Sequence, residues 1–155
     1  MNESARILVI DDEEGIRRTV SMTLKHAGFS VDTAENGKQA IEMSEANFYN
    51  LALIDIRLPD MEGTELLTAM KETTPRMVKI ILTGFPALEN AVRAINKRVD
   101  GYLIKPVNTD ELLRFIKENL DKQKHESEYS QERLAQFVET RLKELQPEEL
   151  DTSKT

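Results

Sequence analysis

Four short apolar runs recur along the chain: Ile7-Leu8-Val9-Ile10, Leu51-Ala52-Leu53-Ile54, Val78-Lys79-Ile80-Ile81-Leu82 and Tyr102-Leu103-Ile104. Each has the length of a buried strand. A fifth stretch, Phe29 to Ala34, alternates apolar and polar positions, which suits a less buried strand at a sheet edge. Helical patterns lie between and after them: Glu13 to Ala27 with Gly28 as a stop, Gly37 to Ala46, Gly63 to Thr73 with Pro75 beyond, Ala87 to Asn96, and Thr109 onward. In the first of these, Ile16, Val20, Thr23, Leu24 and Ala27 form one stripe able to pack on a sheet. Asn36 and Asn108-Thr109 resemble helix starts. Five alternations of strand and helix predict an α/β fold, a parallel sheet with helices on both faces, because each parallel crossover is right-handed. Ligands then gather at the carboxyl edge of the strands.

The residues just past the apolar runs are all polar: Asp11 and Asp12, Asp55, Thr83 and Lys105. Adjacent strands are about 4.8 Å apart, so three carboxylates, a hydroxyl and an ammonium can converge on one pocket. Three clustered carboxylates repel unless a cation joins them, and an all-oxygen set without nitrogen or sulfur points to magnesium, which keeps waters that a phosphate can replace. With phosphate as guest, Thr83 donates a hydroxyl hydrogen bond, Lys105 supplies a point charge, and Asp55 is the candidate nucleophile forming an acyl phosphate. Each residue alone has an ordinary reading: the Asp11-Asp12 pair as helix caps, Asp55 as a loop carboxylate, Thr83-Gly84 as a turn, Lys105-Pro106 as an extended dipeptide, Tyr102 as half-buried packing. Five coincidences are needed to keep all of those.

The segments Asp11-Asp12, Asp55 with Leu58-Pro59-Asp60-Met61-Glu62-Gly63, Thr83-Gly84, and Tyr102 leading into Lys105-Pro106 resemble the receiver domain of two-component response regulators, over about Ala5 to Leu120. The resemblance implies a doubly wound, flavodoxin-like five-stranded parallel sheet in the order 2-1-3-4-5. It implies Asp55 as phosphoacceptor from the phosphohistidine of a sensor histidine kinase. It also implies Mg2+ held by Asp12, Asp55 and the backbone carbonyl of Arg57, with Asp11 acting through water. Thr83, Gly84 and Lys105 would meet the phosphoryl group, and Tyr102 would turn inward as Thr83 moves. It raises the expectation of a cis Lys105-Pro106 bond. The long side chain of Arg57 and the open Gly84 pull the phosphoryl lifetime in opposite directions.

Composition narrows the function classes. The chain has 155 residues, 39% hydrophobic, which fits one domain plus a short appendage, and its net charge of -7 argues against broad contact with a nucleic-acid backbone. Without cysteine there are no disulfides or thiolate chemistry. No apolar run approaches the roughly 18 residues of a membrane span, and the N-terminus lacks a leader pattern, so the expectation is a cytoplasmic protein without membrane contact. A hydrolase with an aspartate nucleophile, of the haloacid dehalogenase type, would carry a second Asp two residues on, where this chain has Arg57; the protein is therefore expected not to be an enzyme beyond its own phosphorylation and dephosphorylation. Nucleotide-binding glycine motifs are absent. A phosphate-independent binding module would be expected to have lost Asp55, Thr83 or Lys105.

The domain is expected to span residues 1–121. Residues 122–155 read as an extension, with a polar linker up to Arg133 and then a short amphipathic helix carrying Leu134, Phe137, Val138, Leu142 and Leu145, ended by Pro147. It contains no DNA-binding output pattern, so output is expected through a downstream protein target. The helix either lies on its own domain or joins a homodimer, the other dimer face being the one around Ala87 to Asn96, the fifth strand and the helix after it.

Overall fold

Side-chain alternation along the first strand divides the interior in two. Ile7 and Val9 point to one face and Leu8 and Ile10 to the other, and all four are buried. A strand covered on both faces cannot alternate apolar with polar residues, which is why the central runs are continuously apolar.

The computed structural model describes residues 4–84 and 99–153; the helix expected over Ala87 to Asn96 lies outside them. The element order is β1 (Arg6–Ile10), α1 (Glu14–His26), β2 (Ser30–Ala34), α2 (Gly37–Ala46), β3 (Leu51–Ile54), α3 (Gly63–Ala69), β4 (Val78–Thr83), β5 (Gly101–Ile104) and α4 (Thr109–Ser153). The five strands form one parallel sheet in the order β2-β1-β3-β4-β5, as the resemblance implied. The register sets Ile7 beside Leu51, Leu51 beside Val78, and Ile80 beside Gly101. β2 and β5 form the two edges and each has one buried residue; β2 does so in keeping with its weaker apolar pattern, whereas the apolar run Tyr102-Leu103-Ile104, expected to be a buried strand, lies at an edge with Ile104 exposed.

One face of the sheet, with Leu8, Ile10, Ala52, Ile54 and Ile81, packs against Ala40 of α2 and Leu66 and Leu67 of α3. The other, with Ile7, Val9, Leu51, Leu53, Ile80 and Leu103, packs against Val20 and Leu24 of α1 and Leu112 and Ile116 of α4. Burying a Leu or Ile side chain of this kind stabilises by about 1.5–3 kcal/mol.

Helix ends follow local chemistry. The Asn36 side chain accepts from the Gln39 amide at 2.8 Å, and that of Asn108 accepts from Asp110 at 2.8 Å, so both caps expected from sequence are formed. α1 ends in a Schellman arrangement: Gly28 has φ +100, its N–H donates to the Lys25 carbonyl, and the Phe29 N–H donates to Leu24. α3 stops at Ala69 rather than at Thr73, with Met70 extended and buried in the core. Thr73, Thr74 and Pro75 disfavour further helix, and burying Met70 fixes the exit. Both Thr74-Pro75 and Lys105-Pro106 are cis.

Two compact units are present, Met1–Asp121 and Lys122–Thr155. The expected polar linker is not a linker: α4 is helical from Thr109 to Ser153, and Pro147 does not end it. Residues 121–133 contain no Gly or Pro and are rich in Lys, Gln and Glu, whose helix propensity is high, so polarity alone does not interrupt the helix. Arg133 donates to the Tyr129 hydroxyl at 3.1 Å and lies over its ring, a one-turn pair that supports this segment. A proline removes one amide donor, and the neighbouring turns keep their own bonds.

Candidate functional site

Three of the site residues are placed by a ladder hydrogen bond just beyond a strand. The Asp11 N–H donates to Ala34 at 3.1 Å, the Asp55 N–H to Ile10 at 2.9 Å, and the Lys105 N–H to Thr83 at 2.8 Å. The sheet is thus extended by one residue where the chemistry begins, and the carboxyl ends of β1, β3 and β5 deliver their side chains to one edge.

There the carboxylates of Asp11, Asp12 and Asp55 meet, one oxygen from each lying within 4.8 Å of the others. Asp11 and Asp55 are buried and Asp12 is exposed. Lys105 reaches in from the far side of the sheet, its Nζ 2.7 Å from Asp11 Oδ2 and 3.6 Å from Asp55 Oδ2. The other oxygen of Asp11 accepts from the Glu13 amide at 3.0 Å, and its backbone carbonyl accepts from the Arg17 guanidinium at 2.7 Å. Asp11 is therefore fixed from the sheet, from α1 and from β5.

Burial, with the charge of Asp11 next in size, pushes the Asp55 carboxyl up to about 6 from its ordinary 3.8; Lys105 and the Arg57 amide work against that rise. Burial disfavours the Lys105 ammonium, but its hydrogen bond to Asp11 and the charges of Asp11, Asp55 and Glu13 outweigh it and hold its pKa above the usual lysine value. A pocket with three carboxylates, one ammonium and oxygen donors throughout suits a hard divalent cation, which would relieve the repulsion that raises Asp55.

The remaining expected residues fall around this cluster. Thr83 ends β4 and is buried, with Gly84 next to it and exposed. Arg57 lies on the β3–α3 loop, its N–H donating to Asp55 Oδ1 at 3.4 Å. Tyr102 on β5 pairs in register with Ile81 and packs against the cluster containing Ile54, Ile56 and Ile81.

Sequence reasoning assigned no role to Asp60, which the structure gives a definite place. Its two oxygens accept from the amides of Gly37 at 2.8 Å and Lys38 at 2.9 Å, tying the loop after Asp55 to the start of α2. These amide bonds hold its carboxyl below the usual range. The signal was non-local, a contact across 23 residues, so nothing in the local pattern disclosed it. The same loop closes on itself through the Gly63 N–H, which donates to Ile56 at 2.7 Å, and through the Leu58 N–H, which donates to Met61 at 3.2 Å.

With this sheet order and edge cluster in view, comparison with known proteins is decisive: the family model for the response regulator receiver domain matches residues 7–117. The chain belongs to that family. The cell cycle response regulator CtrA of Brucella ovis is 32% identical over 111 residues, which cover 72% of this chain and 48% of that protein. The chain thus spans about half the length of the curated relatives it matches. Among solved structures, a CheY-like receiver domain protein from Methanospirillum hungatei JF-1 superposes with a TM-score of 0.74 at 44% identity, covering 80% of this chain and 99% of that one. The response regulator TrrA from Thermotoga maritima, solved in complex with Mg(2+)-BeF, has a TM-score of 0.67 at 32% identity and covers 74% of this chain and 98% of that one. Membership assigns this receiver domain to phosphorylation-based two-component signalling. Among the described residues, no helix is long and apolar enough to cross a membrane.

Proposed function

We propose that Asp55 accepts a phosphoryl group from the phosphohistidine of a sensor histidine kinase, and that the modified domain changes its affinity for a downstream protein. The observation that carries this reading is the convergence of Asp11, Asp12, Asp55 and Lys105 on one edge of the sheet. At neutral pH Asp55, with its pKa near 6, is mostly ionised yet poorly solvated, which suits a nucleophile. One of its oxygens attacks phosphorus, the bond from phosphorus to the histidine nitrogen breaks, and an acyl phosphate forms. Lys105 answers the new negative charge, and the Thr83 hydroxyl donates to a phosphoryl oxygen.

Asp12, Asp55 and the Arg57 carbonyl would hold Mg2+, with Asp11 acting through water. When bound, Mg2+ would supply charge neutralisation for the carboxylate cluster and the phosphoryl group. The complex of TrrA with Mg(2+)-BeF supports this assignment by similarity. Phosphorylation biases two pre-existing conformations through Thr83 and Lys105, and Tyr102 follows Thr83. The domain acts on itself and does not turn over external substrates, since Arg57 stands where a hydrolase of this type needs a general acid. It works in the cytoplasm, where kinase and target meet it, and self-association is the further contact open to it.

The test is intact mass after incubation with a small phosphodonor and Mg2+, beside an Asp55→Asn variant and a chelated sample. A single phosphoryl adduct, lost in both controls, is the expected result. Absence of any adduct, with candidate kinases as well, would overturn the reading.

A further inference from the structure

From Lys124 to Leu145 no residue of α4 is buried, yet this segment carries Leu134, Phe137, Val138, Leu142 and Leu145, all strongly exposed, at 64%, 62%, 47%, 52% and 60%. At 100° per residue these five fall within an arc of about 140° on one side of the helix. Tyr129 lies on the opposite side and is engaged by Arg133. A helix several turns long with every residue in water is marginal by itself, and an apolar stripe at this spacing gains its stability from a partner.

We infer that this stripe pairs with the same stripe of a second copy of the chain. Two features favour a second copy as occupant. The first is area: five large side chains exposed to this degree offer on the order of 500 Å² of apolar surface per copy, the size of the largest apolar patch on a typical monomer, which is often a functional surface. With their flanking stems they approach the ~800 Å² per partner of a standard specific interface. The second is charge: between Gln131 and Leu145 the acidic residues Glu132, Glu139 and Glu144 are matched by Arg133, Arg141 and Lys143. A segment with no net charge does not repel its own copy, whereas a one-signed segment would.

Arg141, inside the arc, is accommodated by its neighbours. Its guanidinium stacks over the Phe137 ring at 5.9 Å and pairs with Glu144 at 3.4 Å, so its stem adds apolar cover while its charge stays compensated at the rim. The pairing goes beyond the phosphoacceptor reading and does not depend on the state of Asp55.

Sedimentation of the unphosphorylated full chain over a dilution series, with a Leu134→Glu/Leu142→Glu variant and circular dichroism of both, tests this. The expected result is a dimer that dissociates on dilution, and a variant that is monomeric at every concentration while its Asp55 still takes a phosphoryl group. Because the chain has no cysteine, single replacements report the face directly: Val138→Cys forms a disulfide-linked dimer on oxidation, and Gln136→Cys, on the opposite side, does not. A monomeric wild-type chain at high micromolar concentration overturns the proposal and leaves the stripe to a different protein. A dimer untouched by the double variant, or equal cross-linking from Gln136→Cys, overturns it by moving the interface elsewhere.

Discussion

Lys105 Nζ stands 2.7 Å from Asp11 Oδ2, a charge-assisted hydrogen bond that joins the ends of β1 and β5 across the central strands. The ammonium is held where it neutralises part of the carboxylate cluster, and it is also the group that meets a phosphoryl oxygen on Asp55. Replacing it by Met keeps the stem and removes the charge. Lys105→Met is expected to slow formation of the phosphoryl adduct by about 100-fold, the usual effect of removing one pre-positioned donor to a developing negative charge. Lys105→Arg keeps the charge with a different shape and should recover part of the rate. Time-resolved intact mass with a small phosphodonor gives both numbers.

The raised pKa of Asp55 makes stability depend on pH in a definite direction. Its folded value of about 6 exceeds the ordinary 3.8, so folding favours the protonated form. The stabilisation is fully present below pH 3.8 and is lost as pH rises through 6. At pH 7 without metal, the ionised carboxylate therefore costs about 3 kcal/mol. Asp55→Asn is expected to be more stable than the native chain by that amount at pH 7 in chelator, with a small difference at pH 4. Urea midpoints for both proteins at the two pH values check the sign; a gap that widens toward acid would contradict it.

Mg2+ binding should weaken as pH falls through about 6, because the proton on Asp55 competes with the cation. Calorimetric titration with Mg2+ at pH 5 and pH 7.5 is expected to show tighter binding at the higher value. The native chain should also lose its excess instability relative to Asp55→Asn when Mg2+ saturates.

Asp60 links the β3–α3 loop to the first turn of α2 through the amides of Gly37 and Lys38. In Asp60→Ala those two amides lose their acceptor, while Asn36 still caps Gln39. Hydrogen exchange is expected to show faster exchange at Gly37 and Lys38 with little change at Gln39. Unchanged protection at the first two would mean that the carboxylate is not their partner in solution.

Two glycines are set by geometry. Gly28, at φ +100, closes α1, and Gly28→Ala should cost about 1–2 kcal/mol in a denaturant melt. At Gly63 an added Cβ would meet the Asp55 carbonyl oxygen at 2.8 Å and the Ile56 Cα at 2.9 Å, both backbone. Gly63→Ala must shift the segment that carries the phosphoacceptor, so it is expected to lower Mg2+ affinity as well as stability, where Gly28→Ala lowers stability alone.

Much of the molecule was legible in the sequence because its signals are local. The runs at Ile7 and Leu51 are continuously apolar because both sheet faces are covered, and each gives way to a polar residue where the strand reaches the carboxyl edge; that pattern placed Asp11, Asp12, Asp55 and Lys105 at one edge. The caps at Asn36 and Asn108 were equally local. Tertiary structure decided what depends on residues distant in the chain. The direct pairing of Lys105 with Asp11 spans 94 residues, and the hold of Asp60 on α2 spans 22 and 23. Burial of Met70 in a core assembled from several elements fixed the early end of α3. For residues 121–133 the apolar pattern was silent, and helix propensity with one-turn side-chain pairs carried α4 onward. A sequence displays which groups want to leave water and which turns they favour; which carboxylate meets which cation is fixed only when the strands lie side by side.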